Sequence, residues 1–189
     1  MPITLVIGGA RSGKSSYGEK LAAGISENVA YIATAQSLDE EMQARISLHR
    51  SRRPQEWTTY EVPLNISKVV QEIKDKHDVF LLDCLTLLIT NILLKDLNID
   101  NITTEIQIMK EDLITREIEK LICYFKNCNK HLIVITNEVG LGLVPSNALS
   151  RIYRDIAGRI NQLLAEDADT VILTWAGIPL QIKPDLVRL

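Results

Sequence analysis

The sequence predicts an α/β fold in which a mostly parallel sheet is covered by helices on both faces. Two observations indicate this fold: short apolar runs rich in β-branched residues recur along the chain, and longer amphipathic stretches separate them. Each run is too short for a helix, and its uniformly apolar character is typical of a strand buried on both faces. The predicted strands cover residues 3–7, 29–33, 79–83, 132–136 and 171–175.

The amphipathic stretches predict the helices. In the last of them, Ile152, Ile156 and Ile160 recur on one helical face. Residues 177–183 are predicted to turn back as an antiparallel strand at the edge of the sheet. Because there is no internal repeat, low-complexity tract or linker, residues 1–189 are expected to form a single domain. The predicted helices cover residues 15–23, 38–50, 65–76, 102–125 and 152–165.

The composition excludes several classes of function. Lys and Arg total 21 against 24 Asp and Glu, a net charge of -3, so duplex nucleic acid is not expected as a partner. Cys84, Cys123 and Cys128 give neither a disulfide framework nor a zinc pattern, which favours a reducing cytoplasm. No apolar run could span a bilayer, and the N-terminus lacks the features of a signal peptide. We therefore expect a cytoplasmic protein without membrane insertion.

A glycine-rich run after the first predicted strand satisfies the pattern G-x-x-x-x-G-K-[ST]. Glycines let such a loop wrap closely around phosphates, and the following helix presents its positive N-terminal end to the same anion. Lys14 would reach the β- and γ-phosphates of a nucleoside triphosphate, and the Ser15 hydroxyl would ligate Mg²⁺. The predicted phosphate-binding residues are Gly8, Gly9, Ala10, Arg11, Ser12, Gly13, Lys14 and Ser15.

Asp83 ends the third predicted strand, a pattern typical of the Walker B aspartate that holds Mg²⁺. An aspartate at the end of a strand is also a common first residue of a turn. Beside a phosphate-binding loop, the metal-binding interpretation is favoured.

The three histidines differ in their surroundings. His77 and His131 precede apolar strands in polar sequence, so we expect both at the surface. His49 ends the predicted helix 38–50, and its imidazole is expected to face inward on the side of Leu38 and Met42.

A basic cluster follows His49, at Arg50, Arg52 and Arg53. A neutral imidazole is a competent nucleophile, and arginines could stabilise charge that develops on a phosphoryl group. The alternative is a structural histidine placed favourably at the negative end of a helix dipole. The residues alone leave both interpretations open.

The chain resembles, essentially from end to end, the bifunctional adenosylcobinamide kinase / adenosylcobinamide-phosphate guanylyltransferase family of cobalamin biosynthesis. The phosphate-binding loop is widely shared, whereas the run from His49 to Trp57 and the Asn-Glu-Val-Gly segment are far more specific. The resemblance rests on residues 8–15, Tyr31-Ile-Ala-Thr34, Asp39-Glu-Glu-Met-Gln-Ala-Arg-Ile46, His49-Arg-Ser-Arg-Arg-Pro-Gln-Glu-Trp57, Thr59, Glu61, Thr136-Asn-Glu-Val-Gly-Leu-Gly142 and Arg154-Asp-Ile-Ala-Gly-Arg-Ile-Asn-Gln162.

The resemblance implies two successive reactions. The family phosphorylates the aminopropanol hydroxyl of adenosylcobinamide with ATP or GTP. It then takes GMP from GTP onto a histidine, which corresponds to His49, and passes it to the phosphorylated product with release of pyrophosphate. A RecA-like P-loop fold and a homotrimer are implied as well. The implied nucleotide-contacting positions are Ala33, Thr34, Ala35, Arg50, Ser51, Arg52, Arg53, Glu61 and Asp83.

The chain departs from some relatives in two mild ways, with Leu48 in place of a second histidine and Asp83 in place of a glutamate. Glu61 could accept hydrogen bonds from the N–H groups of guanine. Asn137 and Glu138 follow a predicted strand at the end where ligands bind to open α/β sheets, so they either face the corrinoid or form an ordinary polar turn. Two other functions stay open: a small-molecule kinase without guanylyl transfer, and a nucleotide-dependent switch module.

Overall fold

The structure, a computed structural model, describes residues 3–36, 40, 43, 47, 50 and 53–184. The strands are β1 (Ile3–Gly8), β2 (Val29–Ala33), β3 (Thr58–Glu61), β4 (Val79–Asp83), β5 (His131–Asn137), β6 (Thr170–Trp175) and β7 (Ile178–Lys183). The helices are α1 (Lys14–Ile25), α2 (Ile66–Ile73), α3 (Leu85–Leu94), α4 (Thr104–Lys126) and α5 (Ala148–Asp167).

The seven strands form one sheet in the order β3-β2-β4-β5-β1-β6-β7. The first six are parallel, and β7 pairs antiparallel with β6. The predicted mostly parallel α/β sheet and its antiparallel C-terminal edge strand are therefore confirmed. All six parallel strands end at one edge of the sheet, which we call the carboxyl edge.

Helices cover both faces of the sheet. On one face, α1 packs against β1, β4 and β5, and it approaches closely because a Cβ on Gly18 would lie 2.4 Å from Ile135 Cδ1. On the other face, α3, α4 and α5 enclose the larger core, in which Phe80 packs edge-on against Phe125.

No helix in the described part of the chain combines the length and apolar character that crossing a bilayer requires.

Two elements, β3 and α3, are absent from the sequence prediction. β3 is a four-residue edge strand of polar and aromatic residues, so it lacks the apolar character used to find strands. α3 is apolar on nearly every side because it lies between the sheet, α4 and α5, and an amphipathic pattern therefore does not mark it. Of the predicted helix 38–50, Glu40, Gln43, Ser47 and Arg50 are described, and they are helical and exposed.

α5 begins four residues before the predicted start. The Asn147 side chain accepts a hydrogen bond from the Ser150 backbone N–H at 2.7 Å and so caps the helix. The predicted helix 152–165 is otherwise confirmed, with Ile156 and Ile160 buried.

The prediction that His77 lies at the surface is wrong. The side chain is buried beneath β3, where one ring nitrogen bonds with the Tyr60 hydroxyl and the other with Asn28 Oδ1, both at 2.9 Å. Since β3 was not predicted, nothing in the sequence indicated a strand that would cover this loop. His131 is half-buried and is the first residue of β5.

We predict that His77 makes the protein less stable in acid. Burial lowers the pKa of His77 below its usual value near 6.5, so below that pH the unfolded chain binds a proton that the native state does not, and stability falls. His77→Gln retains hydrogen-bonding groups but does not titrate. Denaturant unfolding measures the free energy of unfolding of both proteins from pH 7.5 to 5. This free energy should fall more steeply in the parent protein than in the variant, by up to about 1.4 kcal/mol per pH unit.

The difference between the two proteins isolates His77 from His131, whose pKa is also lowered by burial. Parallel pH profiles for the parent and the His77→Gln variant would contradict the assignment.

Candidate nucleotide and metal site

The loop between β1 and α1 has the closed form that a phosphate cradle requires. Arg11 and Gly13 lie in the left-handed region, at φ 56° and 92°, which turns the backbone sharply before α1 begins at Lys14. The Lys14 ammonium donates to the Gly9 carbonyl at 3.2 Å across the loop. Ala10, Arg11 and Gly13 are exposed, whereas Ser12 is buried.

The turn between β6 and β7 supports this loop from the side. The Ser12 and Thr174 hydroxyl oxygens lie 2.8 Å apart in a hydrogen bond, and the Gly177 N–H donates to the Ser12 carbonyl at 2.9 Å. On the β5 side, the Glu138 N–H donates to the Gly8 carbonyl at 3.0 Å. The shape of the loop is therefore fixed by elements far away in sequence.

Gly8 is required by a close approach to β6. A Cβ at this position would lie 2.3 Å from Thr174 Oγ1, 2.5 Å from Ser12 Oγ and 2.6 Å from the Thr174 carbonyl oxygen. At Gly9, by contrast, a Cβ would meet nothing within 4 Å. The two glycines thus have different reasons to be small, and only Gly8 is needed by the fold itself.

Lys14, Ser15 and Asp83 come together where α1 begins. The Ser15 hydroxyl faces Asp83 Oδ1 at 3.5 Å, and the Tyr31 hydroxyl donates to Asp83 Oδ2 at 2.6 Å. A hydroxyl and a carboxylate are the hard oxygen donors that Mg²⁺ prefers, so this pair fits the predicted metal. One strand, β5, lies between β1 and β4. The glycine-rich loop between β1 and α1 and the mostly parallel sheet confirm the predicted P-loop fold.

Burial controls the electrostatics of this group. It lowers the pKa of the Lys14 ammonium, although Cys84 and Asp83 act in the opposite direction. A bound phosphate would restore the charged form, so phosphate binding and protonation of Lys14 favour each other. Burial and the Asp83 carboxylate raise the pKa of Tyr31 far above its usual value near 10, which keeps the phenol a hydrogen-bond donor.

Thr34 connects the end of β2, through hydrogen bonds, to the residue that follows Asp83. Its buried hydroxyl donates to the Cys84 carbonyl at 2.7 Å and accepts from the Cys84 N–H at 2.9 Å. Its backbone N–H donates to the Asp83 carbonyl at 3.3 Å, and its carbonyl accepts from Asn91 Nδ2 at 2.8 Å. All of these groups are engaged within the protein, so Thr34 positions its neighbours Ala33 and Ala35 at the carboxyl edge.

Arg50 lies beside Glu61, the last residue of β3, whereas Arg53 packs against side chains of β2 and β3. Arg50 Nη1 is 4.0 Å from Glu61 Oε1, and both side chains are 68% exposed, so this pair contributes only about 0–1 kcal/mol. The Arg53 guanidinium carbon lies 3.3 Å from the centroid of the Tyr31 ring, and Arg53 Nη1 donates to Thr59 Oγ1 at 3.3 Å. His49, Ser51 and Arg52 lie outside the described residues.

Asn137 and Glu138 differ in their surroundings. Asn137 Nδ2 donates to Thr86 Oγ1 at 2.9 Å, while its Oδ1 is buried without a hydrogen-bond partner in the described structure. The Glu138 side chain accepts from the Gly140 N–H within its own turn, which favours the polar-turn interpretation for Glu138.

Two supporting residues, Tyr31 and Thr174, were not singled out from the sequence. Both occur within predicted strands, and although Tyr31 belongs to a segment that carries the resemblance, neither side chain was given a role of its own. The available signal was a hydroxyl near the carboxyl end of a buried strand, since a buried hydroxyl needs a hydrogen-bond partner.

Similarity to known proteins agrees with this geometry. The family model for cobinamide kinase / cobinamide phosphate guanyltransferase matches residues 4–182. The chain belongs to this family. Enzymes of the family are kinases and guanylyltransferases of adenosylcobalamin biosynthesis, so the predicted family and enzyme class are confirmed.

Individual relatives match over nearly their whole length. The bifunctional adenosylcobalamin biosynthesis protein CobU of Escherichia coli (strain K12) is 45% identical over 95% of this chain and 98% of its own. The protein of the same name from Salmonella typhimurium is 42% identical, with the same two coverages. Bifunctional adenosylcobalamin biosynthesis protein CobP of Pseudomonas aeruginosa is 41% identical over 95% of this chain and 96% of its own.

Among solved structures, the flagellar accessory protein FlaH from Methanocaldococcus jannaschii is 15% identical, with a TM-score of 0.45. The match covers 95% of this chain and 75% of that chain.

We predict that Gly8→Ala destabilises the protein even without nucleotide, because the added methyl group overlaps Thr174 and the backbone beside it. The expected loss in the free energy of unfolding is about 1–3 kcal/mol. Gly9→Ala is the matched control and should change it by no more than about 0.5 kcal/mol. Denaturant unfolding of the parent protein and the two variants measures both changes. Equal stability of the parent protein and Gly8→Ala would show that a methyl group fits at position 8.

We predict that Lys14→Ala abolishes cobinamide phosphorylation. It should also weaken triphosphate binding roughly 10- to 100-fold, as expected for loss of a hydrogen bond to a charged group. Lys20→Ala, an exposed lysine on the same helix, is the matched control and should leave both unchanged. Calorimetric titration with GTP and ATP measures the binding. Near-normal phosphorylation by Lys14→Ala would refute the role of the loop.

Proposed function

We propose that the enzyme phosphorylates adenosylcobinamide with ATP or GTP and then transfers GMP from GTP, through a covalent GMP-histidine at His49, to give adenosylcobinamide-GDP and pyrophosphate. The observation that carries the proposal is the meeting of the phosphate loop and the Ser15–Asp83 pair at the carboxyl edge, with Arg50 beside Glu61 at the end of β3 and Arg53 on the ring of Tyr31. A triphosphate site and a basic segment beside it are what the two reactions require.

In the kinase reaction, the backbone N–H groups of the phosphate loop and Lys14 bind the β- and γ-phosphates. Ser15 and Asp83 hold Mg²⁺, which when bound neutralises negative charge on the phosphates. The attacking group is the aminopropanol hydroxyl of the substrate, so the protein contributes positioning and charge stabilisation rather than a nucleophile.

In the guanylyl reaction, a nitrogen of His49 attacks the α-phosphorus of GTP. A P–N bond forms as the bond to pyrophosphate breaks, and the phosphate of adenosylcobinamide phosphate then displaces the imidazole. Arg50, Ser51, Arg52 and Arg53 are the proposed nucleotide contacts in this segment, and its arginines would stabilise the charge that develops on the phosphates. Glu61 accepts hydrogen bonds from the guanine N–H groups, and these bonds replace its exposed contact with Arg50.

Three features of organisation belong to the same proposal. Residues 1–189 form a single domain, which is supported by the single sheet that contains all the described strands. The enzyme is cytoplasmic, which agrees with the free thiols of its three cysteines. It assembles as a homotrimer, and the exposed apolar side chains Trp175, Ile178 and Leu180 are of the kind that a subunit interface covers.

We predict that His49→Ala separates the two activities. The variant should lose covalent labelling by α-³²P-GTP and lose guanylyl transfer, while cobinamide phosphorylation survives at least in part, because only the guanylyl reaction needs a protein nucleophile. His131→Ala, at the opposite edge of the sheet, is the control and should label normally. Label retained after denaturation measures the adduct.

The adduct should be a phosphoramidate, stable in alkali and rapidly lost in acid. It should form less readily below a pH of roughly 6.5, where imidazole becomes protonated. An acid-stable adduct on a lysine, or normal labelling of His49→Ala, would contradict the histidine route. Phosphorylation of cobinamide without any labelling of the parent protein would instead indicate a kinase without guanylyl transfer.

A further inference from the structure

Tyr31 is a fully buried side chain whose only polar atom points at the proposed metal site. It lies in β2 with 1% of its surface exposed, and its hydroxyl donates to Asp83 Oδ2 at 2.6 Å. A buried hydroxyl must be bonded, but any acceptor would satisfy that requirement. Here the acceptor is the carboxylate that faces Ser15.

The register of the sheet explains how the two side chains meet. β2 and β4 pair in parallel, with Tyr31 opposite Leu81 and Ala33 opposite Asp83. Tyr31 and Asp83 are therefore diagonal neighbours on the same face, a separation that an aromatic side chain can bridge. Ala33, directly opposite Asp83, is too small to fill the space, so the phenol reaches the carboxylate past it.

Because of this contact, the two carboxylate oxygens of Asp83 have different partners. Oδ2 is bonded to Tyr31, while Oδ1 faces the Ser15 hydroxyl at 3.5 Å, on the side of the phosphate loop. A bond to one oxygen fixes the rotation of the carboxylate and leaves the other directed at the metal position. Bonds of this kind to metal-ligating carboxylates orient the ligand.

The ring of Tyr31 makes a second contact, with Arg53. The guanidinium carbon lies 3.3 Å from the ring centroid, a cation–π geometry, and Arg53 Nη1 bonds to Thr59. Arg53 comes directly after the segment 49–52, which contains the proposed guanylylated histidine. One side chain thus contacts both the metal-binding aspartate and the basic segment.

We propose that Tyr31 is a positioning residue with two separable roles: its hydroxyl orients Asp83 for Mg²⁺, and its ring holds Arg53 for guanylyl transfer. The inference rests on the proposed function. It adds that one buried side chain, outside the phosphate loop and the histidine segment, positions residues that act in both reactions.

Tyr31→Phe tests the hydroxyl, since it keeps the ring and the volume. GTP binding is measured by calorimetry over a series of Mg²⁺ concentrations and in EDTA. The Mg²⁺ concentration that gives half of the full tightening should rise about tenfold, as expected for loss of a hydrogen bond to a charged group, while binding in EDTA stays unchanged. At saturating Mg²⁺, labelling by α-³²P-GTP should stay within about threefold of the parent.

Tyr60→Phe is the matched control. Its hydroxyl bonds to His77 in the loop before β4, and its ring packs on the opposite face of the sheet. The variant also loses a tyrosine hydrogen bond within the protein, so its unfolding free energy should fall too, yet its Mg²⁺ midpoint should equal that of the parent. Equal midpoints in the parent and in Tyr31→Phe would overturn the hydroxyl role.

The ring is tested by Tyr31→Leu, Arg53→Leu and the double variant, with circular dichroism to confirm folding. If the ring acts through Arg53, each single change lowers labelling and the double variant labels no worse than Arg53→Leu. Additive losses, or normal labelling of Tyr31→Leu, would overturn this role. If the parent protein itself takes no label from α-³²P-GTP, the result contradicts the proposed function instead. The Mg²⁺ midpoints of GTP binding still test the role of the Tyr31 hydroxyl in that case.

Discussion

The parallel pairing of β1 with β5, and of β5 with β4, determines where every part of the site lies. Because these strands run in the same direction, the phosphate loop after β1 and Asp83 at the end of β4 meet at the carboxyl edge, one strand apart. β2 and β3 continue the same edge and end at Ala33 and Glu61. The site is therefore a consequence of chain direction, and ligands of open α/β sheets bind at such an edge for this reason.

Buried polar side chains then fix the separate parts against each other. Thr174 holds the phosphate loop, Thr34 holds the chain after Asp83, and Tyr31 holds the Asp83 carboxylate. Each is a hydroxyl in a strand or directly after one, and each bonds to a residue at least 50 positions away in sequence. A buried hydroxyl without a partner would be costly, so these contacts also make the arrangement specific.

The sequence was most informative where a local pattern has one physical meaning. The apolar runs predicted five strands, and the pattern around Lys14 predicted the loop, because backbone geometry and phosphate binding both require those residues in that order. The edge strand β3 and the buried helix α3 escaped prediction, since neither has an alternating or amphipathic pattern. His77 was misplaced and Tyr31 overlooked for a shared reason: their partners lie on other strands, and a single sequence does not reveal which strands become neighbours.

The central claim is that this enzyme first phosphorylates adenosylcobinamide and then transfers GMP to the phosphorylated product. Incubation of the enzyme with adenosylcobinamide, GTP and Mg²⁺, followed by mass analysis over time, tests it most directly. We expect the phosphorylated corrinoid to appear first and then to be converted to the GDP-linked product, with one pyrophosphate released for each conversion. Accumulation of the phosphorylated corrinoid alone, with no GDP-linked product at any time, would contradict the proposed guanylyl transfer.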